Sequence, residues 1–316
     1  MRSIVGSCGA RDPPVSNCCT PHGCEDGGVA QLITPAELDH RLSSRDGVRV
    51  LDVRYRLDKP DGRPDHLAGH IPGAVYVDLE SELSRHGRAT DGRHPLPALD
   101  DLQAAARRWG LRAGDTVVVY DDARSLGASR AWWLLTRTGV ADVRLLDGGF
   151  GAWKAAGLPV EEGVVEPDPG DVVLQPISEP VLSIDEAAAL PSEGVLLDVR
   201  APERFRGEVE PIDPIAGHIP GAVNLPTTDY VVADRFRDAA ALRTLFAEAG
   251  LTPGVAAAAY CGSGVTAAQA VFAAELAGLD LRIYPGSWSQ WSNTPGRPIA
   301  TGPEPAARPA TAHQDR

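Results

Sequence analysis

The eight residues Ala68-Gly-His-Ile-Pro-Gly-Ala-Val75 recur without a single change at positions 216–223. A second matching pair precedes them, because Val50-Leu-Asp-Val-Arg54 is matched by Leu-Leu-Asp-Val-Arg at 196–200. The two offsets are 146 and 148 residues. A repeat of this spacing is too long for a solenoid unit and has the size of a domain. The sequence therefore predicts a duplicated domain.

Both copies alternate predicted strands with predicted helices. Two further pairs complete the repeat, residues 117–120 with 257–260 and residues 146–153 with 284–291. Short apolar runs bounded by polar turns are typical of buried strands, and stretches with helical periodicity follow them. This alternation predicts an α/β fold with two tandem domains, each a parallel sheet with helices on both faces.

The repeat and the composition set the expected domain boundaries. The first domain is expected at 29–163 and the second at 181–300, joined by a Pro-rich linker at 164–180. Residues 1–28 are Cys-rich and lack periodicity, and residues 301–316 are rich in Pro and Ala. Both ends are expected to be disordered tails. A start of translation near Val29 is the alternative explanation for the first.

Charge and hydrophobicity exclude two classes of partner. The 316 residues carry a formal net charge of -13, with 43% hydrophobic residues. Binding to nucleic acid needs clustered Lys and Arg, so we expect no nucleic-acid partner. No apolar run approaches the roughly 18 residues of a membrane helix, so we expect no membrane association.

The cysteines are unevenly distributed. Four of the five lie within the first 24 residues, and Cys261 is the only one in the predicted domains. A disulfide-stapled fold would distribute its cysteines through its domains, so the pattern favours a reducing, cytoplasmic location. A metal site at Cys18, Cys19, His22 and Cys24 is conceivable, but their spacing matches no known zinc pattern, and we expect no metal.

Cys261 stands at a predicted strand-to-helix junction. It follows the strand expected at 254–260 and begins the loop Cys261-Gly-Ser-Gly-Val-Thr266. Backbone N–H groups in such a loop bind an anion, and the helix N-terminus adds positive potential. The residues expected to form this cradle for the sulfur are Gly262, Gly264, Val265 and Thr266. Cys261 is therefore expected to be a thiolate nucleophile; the alternative is a buried, inert cysteine.

Charged residues also follow the strands of both copies. Asp52, Arg54, Asp198 and Arg200 occupy equivalent positions, although only one copy has the cysteine. A structural role is the favoured interpretation. The same interpretation applies to His218, whose Gly-His-Ile-Pro-Gly turn positions a strand.

These motifs together resemble the tandem rhodaneses, a family of two-domain sulfurtransferases. The resemblance rests on the two repeats, the strand–cysteine–loop–helix unit and the closing Gly-Ser-Trp-Ser-Gln-Trp, and it covers about residues 29–300. It implies a catalytic second domain and a degenerate first domain that closes the cleft. Asp121 indeed follows Tyr120 where Cys261 follows Tyr260, and an aspartate cannot accept a sulfur atom.

The loop resembles that of the 3-mercaptopyruvate sulfurtransferases within the family. It contains no Lys or Arg, which argues against the thiosulfate dianion as the donor. This branch implies a Ser-His-Asp relay, in which Ser263 is the serine, His70 the histidine and Asp61, nine residues earlier, the aspartate. Asp65 is an alternative aspartate. The alternative for Ser263 is that it takes no part in a relay and is present because the loop needs a small residue.

The same branch implies two arginines that bind the donor carboxylate. Arg204 matches the first, but Asp213 stands nine residues later, where the second is expected. Arg206 is the candidate substitute, and use of thiosulfate is the other alternative.

The expected reaction transfers a sulfane sulfur through a Cys261 persulfide to a thiol, such as a thioredoxin-like protein, or to cyanide. It implies no cofactor. A cysteine phosphatase would need an arginine six residues after the cysteine, where this chain has Ala267. A sulfur carrier or partner-binding module would not need Ser263, Arg204 and His70 together with the cysteine.

Overall fold

The computed structural model describes residues 31–44 and 47–303. The predicted tail at 1–28, and all but three residues of the one at 301–316, lie outside the described residues. Between them the chain forms two parallel sheets, one in each copy of the repeat.

The first domain is built from the following elements in chain order: β1 (Gln31–Ile33), α1 (Pro35–Ser44), β2 (Val48–Asp52), α2 (Arg63–Ala68), β3 (Val75–Tyr76), α3 (Leu79–Glu82), α4 (Leu99–Arg108), β4 (Thr116–Tyr120), α5 (Leu126–Arg137), β5 (Asp142–Leu146) and α6 (Gly149–Ala155). The elements of the second domain are α7 (Ile184–Ala189), β6 (Val195–Asp198), α8 (Pro202–Phe205), β7 (Val223–Asn224), β8 (Val231–Val232), β9 (Arg235–Phe236), α9 (Ala239–Glu248), β10 (Ala257–Tyr260), α10 (Ala267–Leu276), β11 (Arg282–Ile283) and α11 (Ser287–Asn293).

Strand order is the same in the shared part of the two sheets. The first sheet runs β1-β5-β4-β2-β3 and the second β11-β10-β6-β7, and all of these pairings are parallel. Strands β8 and β9 form a separate antiparallel hairpin. In each sheet the strand that precedes the central loop, β4 or β10, has a neighbour on both sides, so that loop leaves the middle of the sheet.

Helices cover both faces of each sheet, as the sequence predicts. In β4, Val117 and Val119 are buried together with α4 and α5, whereas Val118 and Tyr120 are buried with α1 and α6. This alternation follows from the two-residue period of a strand with both faces covered. The predicted α/β class and the two-domain arrangement are confirmed.

The two domains share one hydrophobic core. Residues from both sheets belong to a single buried cluster, and helices α5 and α10 pack against each other at its centre. There the ring of Trp132 meets that of Phe272 edge to face, with ring centroids 4.8 Å apart. This packing holds the carboxyl ends of both sheets around one cleft.

Several elements were not predicted. Helices α4 and α9 lie at equivalent positions but share almost no sequence, so the repeat does not reveal them. Their common feature is one buried leucine each, Leu102 and Leu242. Thr34 and Ser183 each begin a capping box: the carboxylate of Glu37 or Glu186 accepts from the backbone N–H of the cap residue, and the cap hydroxyl accepts from the N–H of that glutamate.

Residues 164–180, expected to be the linker, contain no helix or strand. They run along the first domain, where Val172 donates to the carbonyl of Leu111 and Gln175 to that of Thr138. Within 31–44 and 47–303, no helix combines the length and apolarity needed to cross a membrane.

Candidate active site

Cys261 lies directly after β10, at the base of a cleft between the domains. It is 2% exposed, and its thiol is free. A cavity of about 380 Å³ opens onto it. The residues that line this cavity come from both domains: Tyr55, Arg56, Leu57, Asp58, Arg93, Asp122, Ala123, Arg124, Leu126, Arg204, Asp234, Cys261, Gly262, Ser263, Val265 and Thr266.

The loop after β10 wraps around the sulfur. The backbone N–H of Gly264 donates to Cys261 Sγ over 3.1 Å. Gly264 has φ +82, and a Cβ atom there would lie 2.3 Å from the carbonyl oxygen of Pro285. Only glycine therefore fits this turn. The loop can hold negative charge on sulfur, which is the chemistry expected of it.

The segment around α11 fixes the other side of the loop. The carbonyl oxygens of Cys261 and Gly262 accept from the N–H groups of Trp288 and Ser289. The hydroxyl of Ser287 accepts from Cys261 N over 3.1 Å and lies 4.0 Å from Sγ. The closing Trp-rich stretch of the repeat thus positions the cysteine.

Ser263 is hydrogen-bonded to a histidine of the first domain. Its Oγ lies 2.7 Å from Nδ1 of His94, whose Nε2 lies 3.0 Å from Oε1 of Glu80. Because the Glu80 carboxylate accepts from Nε2–H, Nδ1 is left to accept the hydroxyl proton of Ser263. Burial lowers the pKa of His94, although Glu80 opposes the effect. The neutral imidazole can therefore take a proton from Ser263.

The structure does not bring His70 and Asp61, the residues predicted for the relay, to Ser263. The His70 ring is buried, stacks on His66 at 4.0 Å between centroids and places its Nδ1 2.8 Å from the carbonyl of His66. Asp61 is exposed and accepts from the N–H of Arg63 at the start of α2. The alternative aspartate, Asp65, pairs with Lys59 and Arg56.

One feature of the sequence distinguishes His94 from His70: whether the histidine is present in both copies of the repeat. His70 has a counterpart in the second domain, His218, whose Nδ1 lies 2.7 Å from a backbone carbonyl in the same way. A histidine present in both copies is therefore a structural candidate. His94 has no counterpart in the second domain.

Arg204 lines the cavity, as expected for a donor-binding residue. It pairs with the buried Glu210, with Nη2 2.6 Å from Oε1, and lies 3.5 Å from Asp213. Arg206 does not line the cavity; it pairs with Glu208 at the surface, so the structure does not bring it to the site.

Asp213 holds an arginine of the first domain. Its buried carboxylate lies 3.0 Å from Nη1 of Arg93, which lines the cavity. Burial raises the pKa of Asp213, while Arg93 and Arg204 oppose the effect. Position 213, where an arginine was expected, thus holds an aspartate that binds Arg93 of the first domain. Arg56 and Arg124 also reach the cavity from the first domain, so the first domain supplies cations that the loop after β10 lacks.

The loop after β4 is a filled counterpart of the loop after β10. The Asp121 carboxylate is buried and accepts from the N–H groups of Ala123, Ser125 and Ala128 over 2.8, 2.9 and 3.0 Å. The aspartate therefore occupies with its own charge the cradle that the sulfur occupies in the second domain. Burial raises its pKa to about 6, and the three N–H groups only reduce this shift.

The repeated strand-end charges are paired with one another. Asp52 pairs with Arg54 and Asp198 with Arg200, and each arginine also donates to a glycine carbonyl, Gly69 or Gly217. Each buried ion pair at a strand end thus anchors the glycine of the repeated Gly-His-Ile-Pro-Gly turn, in agreement with the structural role favoured above. In the part of the chain that the structure describes, no group of three or more His, Cys, Asp or Glu residues is arranged to hold a metal.

Comparison with known proteins identifies the family. The family described as "Rhodanese-like domain" matches residues 34–156 and 183–294. A Mycobacterium tuberculosis protein named as a thiosulfate sulfurtransferase, SseB, is 49% identical over 278 residues, 86% of this chain and 97% of its own. A Pseudomonas aeruginosa protein named as a 3-mercaptopyruvate sulfurtransferase is also 49% identical, over 86% of this chain and 99% of its own.

Solved structures agree with these sequences. The crystal structure of SseA from Escherichia coli, described as a 3-mercaptopyruvate sulfotransferase, has a TM-score of 0.73 at 29% identity. The match covers 82% of this chain and 99% of that one. The 3-mercaptopyruvate sulfurtransferase of Leishmania major has a TM-score of 0.74 at 30% identity, over 83% of this chain and 74% of that one. With both copies matched, this chain belongs to the rhodanese-like family as a tandem two-domain member.

Proposed function

We propose that the protein is a sulfurtransferase that moves a sulfane sulfur from 3-mercaptopyruvate to a thiol acceptor through a persulfide on Cys261. One observation carries the proposal. A buried free thiol lies in an N–H-lined loop at the base of a cleft, next to a serine that is hydrogen-bonded to His94, which in turn donates to Glu80. This is a nucleophile together with a proton relay.

The first half-reaction transfers sulfur to the enzyme. The Cys261 thiolate attacks the sulfur of 3-mercaptopyruvate, an S–S bond forms, and the C–S bond breaks with its electron pair left on the pyruvate enolate. The proton of the substrate thiol passes through Ser263 to His94 and returns to the enolate carbon, which gives pyruvate. Gly264 N–H and the rest of the loop stabilise the persulfide anion.

The second half-reaction returns the cysteine. An acceptor thiolate attacks the outer sulfur, the S–S bond breaks, and Cys261 leaves as a thiolate. We propose a thioredoxin-like protein, a small thiol or cyanide as the acceptor. The free Cys261 thiol also supports a reducing, cytoplasmic location.

Thiosulfate is the second candidate donor. The arginines that line the cleft favour it, because the dianion gains more from positive charge than a monoanion does. Two of these arginines, Arg93 and Arg204, are already neutralised by Asp213 and Glu210. The remaining positive charge is therefore small, which favours the monoanionic 3-mercaptopyruvate. The names of the two relatives at 49% identity are divided between the same two donors.

The test combines mass spectrometry with kinetics. Incubation with either donor followed by peptide mapping is expected to add one sulfur atom to the Cys261 peptide of the full chain. The Cys261→Ser variant is expected to lose both the added sulfur and turnover. We expect a higher kcat/KM for 3-mercaptopyruvate than for thiosulfate. Turnover by the serine variant would refute the persulfide; a tenfold preference for thiosulfate would refute the donor.

A further inference from the structure

Arg130 is a fully buried arginine on helix α5 of the first domain, at the centre of the interface between the domains. Within residues 31–44 and 47–303 it forms no ion pair with a carboxylate. Its guanidinium group instead donates to three backbone carbonyl oxygens, those of Leu83, His94 and Gly264, at 3.3, 3.2 and 3.2 Å.

Two of these carbonyls belong to the machinery of the reaction. Gly264 lies in the loop of the second domain, and its N–H holds Cys261 Sγ. His94 belongs to the first domain and accepts the proton of Ser263. One rigid, planar group therefore connects the loop that holds the sulfur with the histidine that serves the relay, across the domain boundary.

We propose that Arg130 is a positioning residue for sulfur transfer: its guanidinium group keeps the Gly264 turn and His94 in register, and its buried positive charge favours the anionic form of Cys261. The inference deepens the proposed function, on which it rests. It also explains how a loop without Lys or Arg can stabilise negative charge: the cation, Arg130, contacts the loop after β10 from the first domain.

The charge argument follows from burial. Taking a guanidinium group out of water without a carboxylate partner is unfavourable, so such a group is retained where another negative charge compensates it. Burial lowers the pKa of Arg130 to about 10, and the attraction of a charged Cys261 opposes this shift. Arg130 thus remains a cation at neutral pH, and the negative charge that faces it is that of the cysteine or its persulfide.

The shape of the group explains why an arginine is present. Three carbonyls in different directions match the fork of N–H groups on a guanidinium, whereas a lysine ammonium cannot span them. Arg130→Lys should therefore keep the charge and lose the register. Arg130→Met should lose both.

Helix α5 offers a matched control. Arg137 is also a buried arginine at the domain interface, but its partners are Glu179 and Glu275, and it does not line the cavity at Cys261. Arg137→Met removes an interdomain guanidinium without touching the sulfur-binding loop.

The experiment measures the rate of Cys261 alkylation by iodoacetamide against pH, together with kcat and KM for both donors. For Arg130→Met we expect alkylation at neutral pH to slow about tenfold, because negative charge on the sulfur loses the nearby buried cation, and kcat to fall about 100-fold with little change in KM. Arg130→Lys should keep an alkylation rate near that of the unsubstituted protein and still lose kcat about tenfold. Arg137→Met should change neither quantity.

An unchanged alkylation rate and kcat in Arg130→Met would overturn the inference, as would an equal loss in Arg137→Met. If Arg130→Met does not fold, as judged by circular dichroism, Arg130→Lys decides: full kcat overturns the proposal, and lost kcat at an unchanged alkylation rate supports it. The alkylation profile does not depend on the donor, so it distinguishes failure of this inference from failure of the proposed sulfur transfer.

Discussion

At the residue scale, the site depends on a contact between two residues that lie in different domains and far apart in the sequence. Ser263 and His94 are separated by 169 positions, yet their side chains lie 2.7 Å apart. The sequence singles out Cys261 and Ser263, because a strand end, glycines and a helix start are local signals. It does not indicate His94, because the partner of a side chain across an interface has no local signal. The repeat offered only indirect help, since it marks His70 as structural.

The relay predicts that the two donors respond differently to its removal. Transfer from 3-mercaptopyruvate moves a proton, whereas transfer from thiosulfate expels sulfite without one. Ser263→Ala and His94→Asn are therefore expected to lower kcat for 3-mercaptopyruvate about 100-fold and kcat for thiosulfate much less. Steady-state kinetics with both donors checks this. Equal losses with the two donors would show that Ser263 and His94 only shape the loop.

The pH profile should report the environment of His94. Burial lowers the pKa of this histidine below its usual value of 6.5, so the imidazole stays neutral, and able to accept the proton of Ser263, to a lower pH than a free histidine. The acid limb of kcat for 3-mercaptopyruvate is therefore expected below pH 6.5. A limb at or above that value, assigned to His94 by its absence in His94→Asn, would contradict the proton-accepting role.

At the scale of elements, the loops after β4 and β10 show what one substitution does to a duplicated unit. The sequence reveals that Asp121 replaces the cysteine, and hence that the first copy cannot carry sulfur. It does not reveal that the carboxylate fills the same N–H cradle, because the N–H directions depend on the backbone. Arg124 and Ser125 adopt positive φ of 60 and 64 there, a conformation that their side chains do not favour and that sequence patterns do not predict.

The filled cradle predicts an unusual dependence of stability on pH. The pKa of Asp121 is about 6 in the folded protein against an ordinary 3.8, so the folded state binds this proton more tightly than the unfolded chain. Its stabilising contribution is complete below about pH 4 and is lost as the pH rises through 6, a change of about 3 kcal/mol. Asp121→Asn removes the titration. Relative to the unsubstituted protein, the variant should gain about 3 kcal/mol in free energy of unfolding between pH 4 and pH 7. A pH-independent difference in chemical denaturation would disprove the raised pKa.

At the scale of the whole molecule, the two domains are one unit in both packing and chemistry. The repeat predicts each domain and its sheet, but not the interface, because packing between α5 and α10 leaves no periodic trace beyond their apolar character. That interface supplies the arginines of the cleft and therefore decides its charge. Reading the loop of the second domain alone gives a cleft without cations, whereas the assembled cleft contains four arginines.

The shared core predicts cooperative unfolding. Helices α5 and α10 bury Trp132 and Phe272 against each other, so opening one domain exposes the core of the other. Chemical denaturation is expected to give one transition, with tryptophan fluorescence and circular dichroism coinciding. Trp132→Ala should lower the free energy of unfolding by about 3–5 kcal/mol. Two separate transitions in the unsubstituted protein would mean that the domains are stable independently.

The charge of the cleft predicts how Asp213 governs the choice of donor. Its carboxylate neutralises Arg93, so Asp213→Asn adds one net positive charge to the cavity. At a separation of about 8 Å and an effective dielectric constant of about 20, one unit charge is worth about 2 kcal/mol. Because thiosulfate carries two negative charges and 3-mercaptopyruvate one, thiosulfate is stabilised by about 2 kcal/mol more than 3-mercaptopyruvate.

Asp213→Asn is therefore expected to raise kcat/KM for thiosulfate relative to 3-mercaptopyruvate by about 30-fold, and added salt should reduce the gain. Because burial raises the pKa of Asp213, protonation at acid pH should mimic the substitution. The unsubstituted protein should move toward thiosulfate as the pH falls, while Asp213→Asn, which cannot titrate there, should not. A donor ratio that is unchanged by the substitution would show that Arg93 is held too far from the donor to matter, and Arg204 alone would then bind the carboxylate.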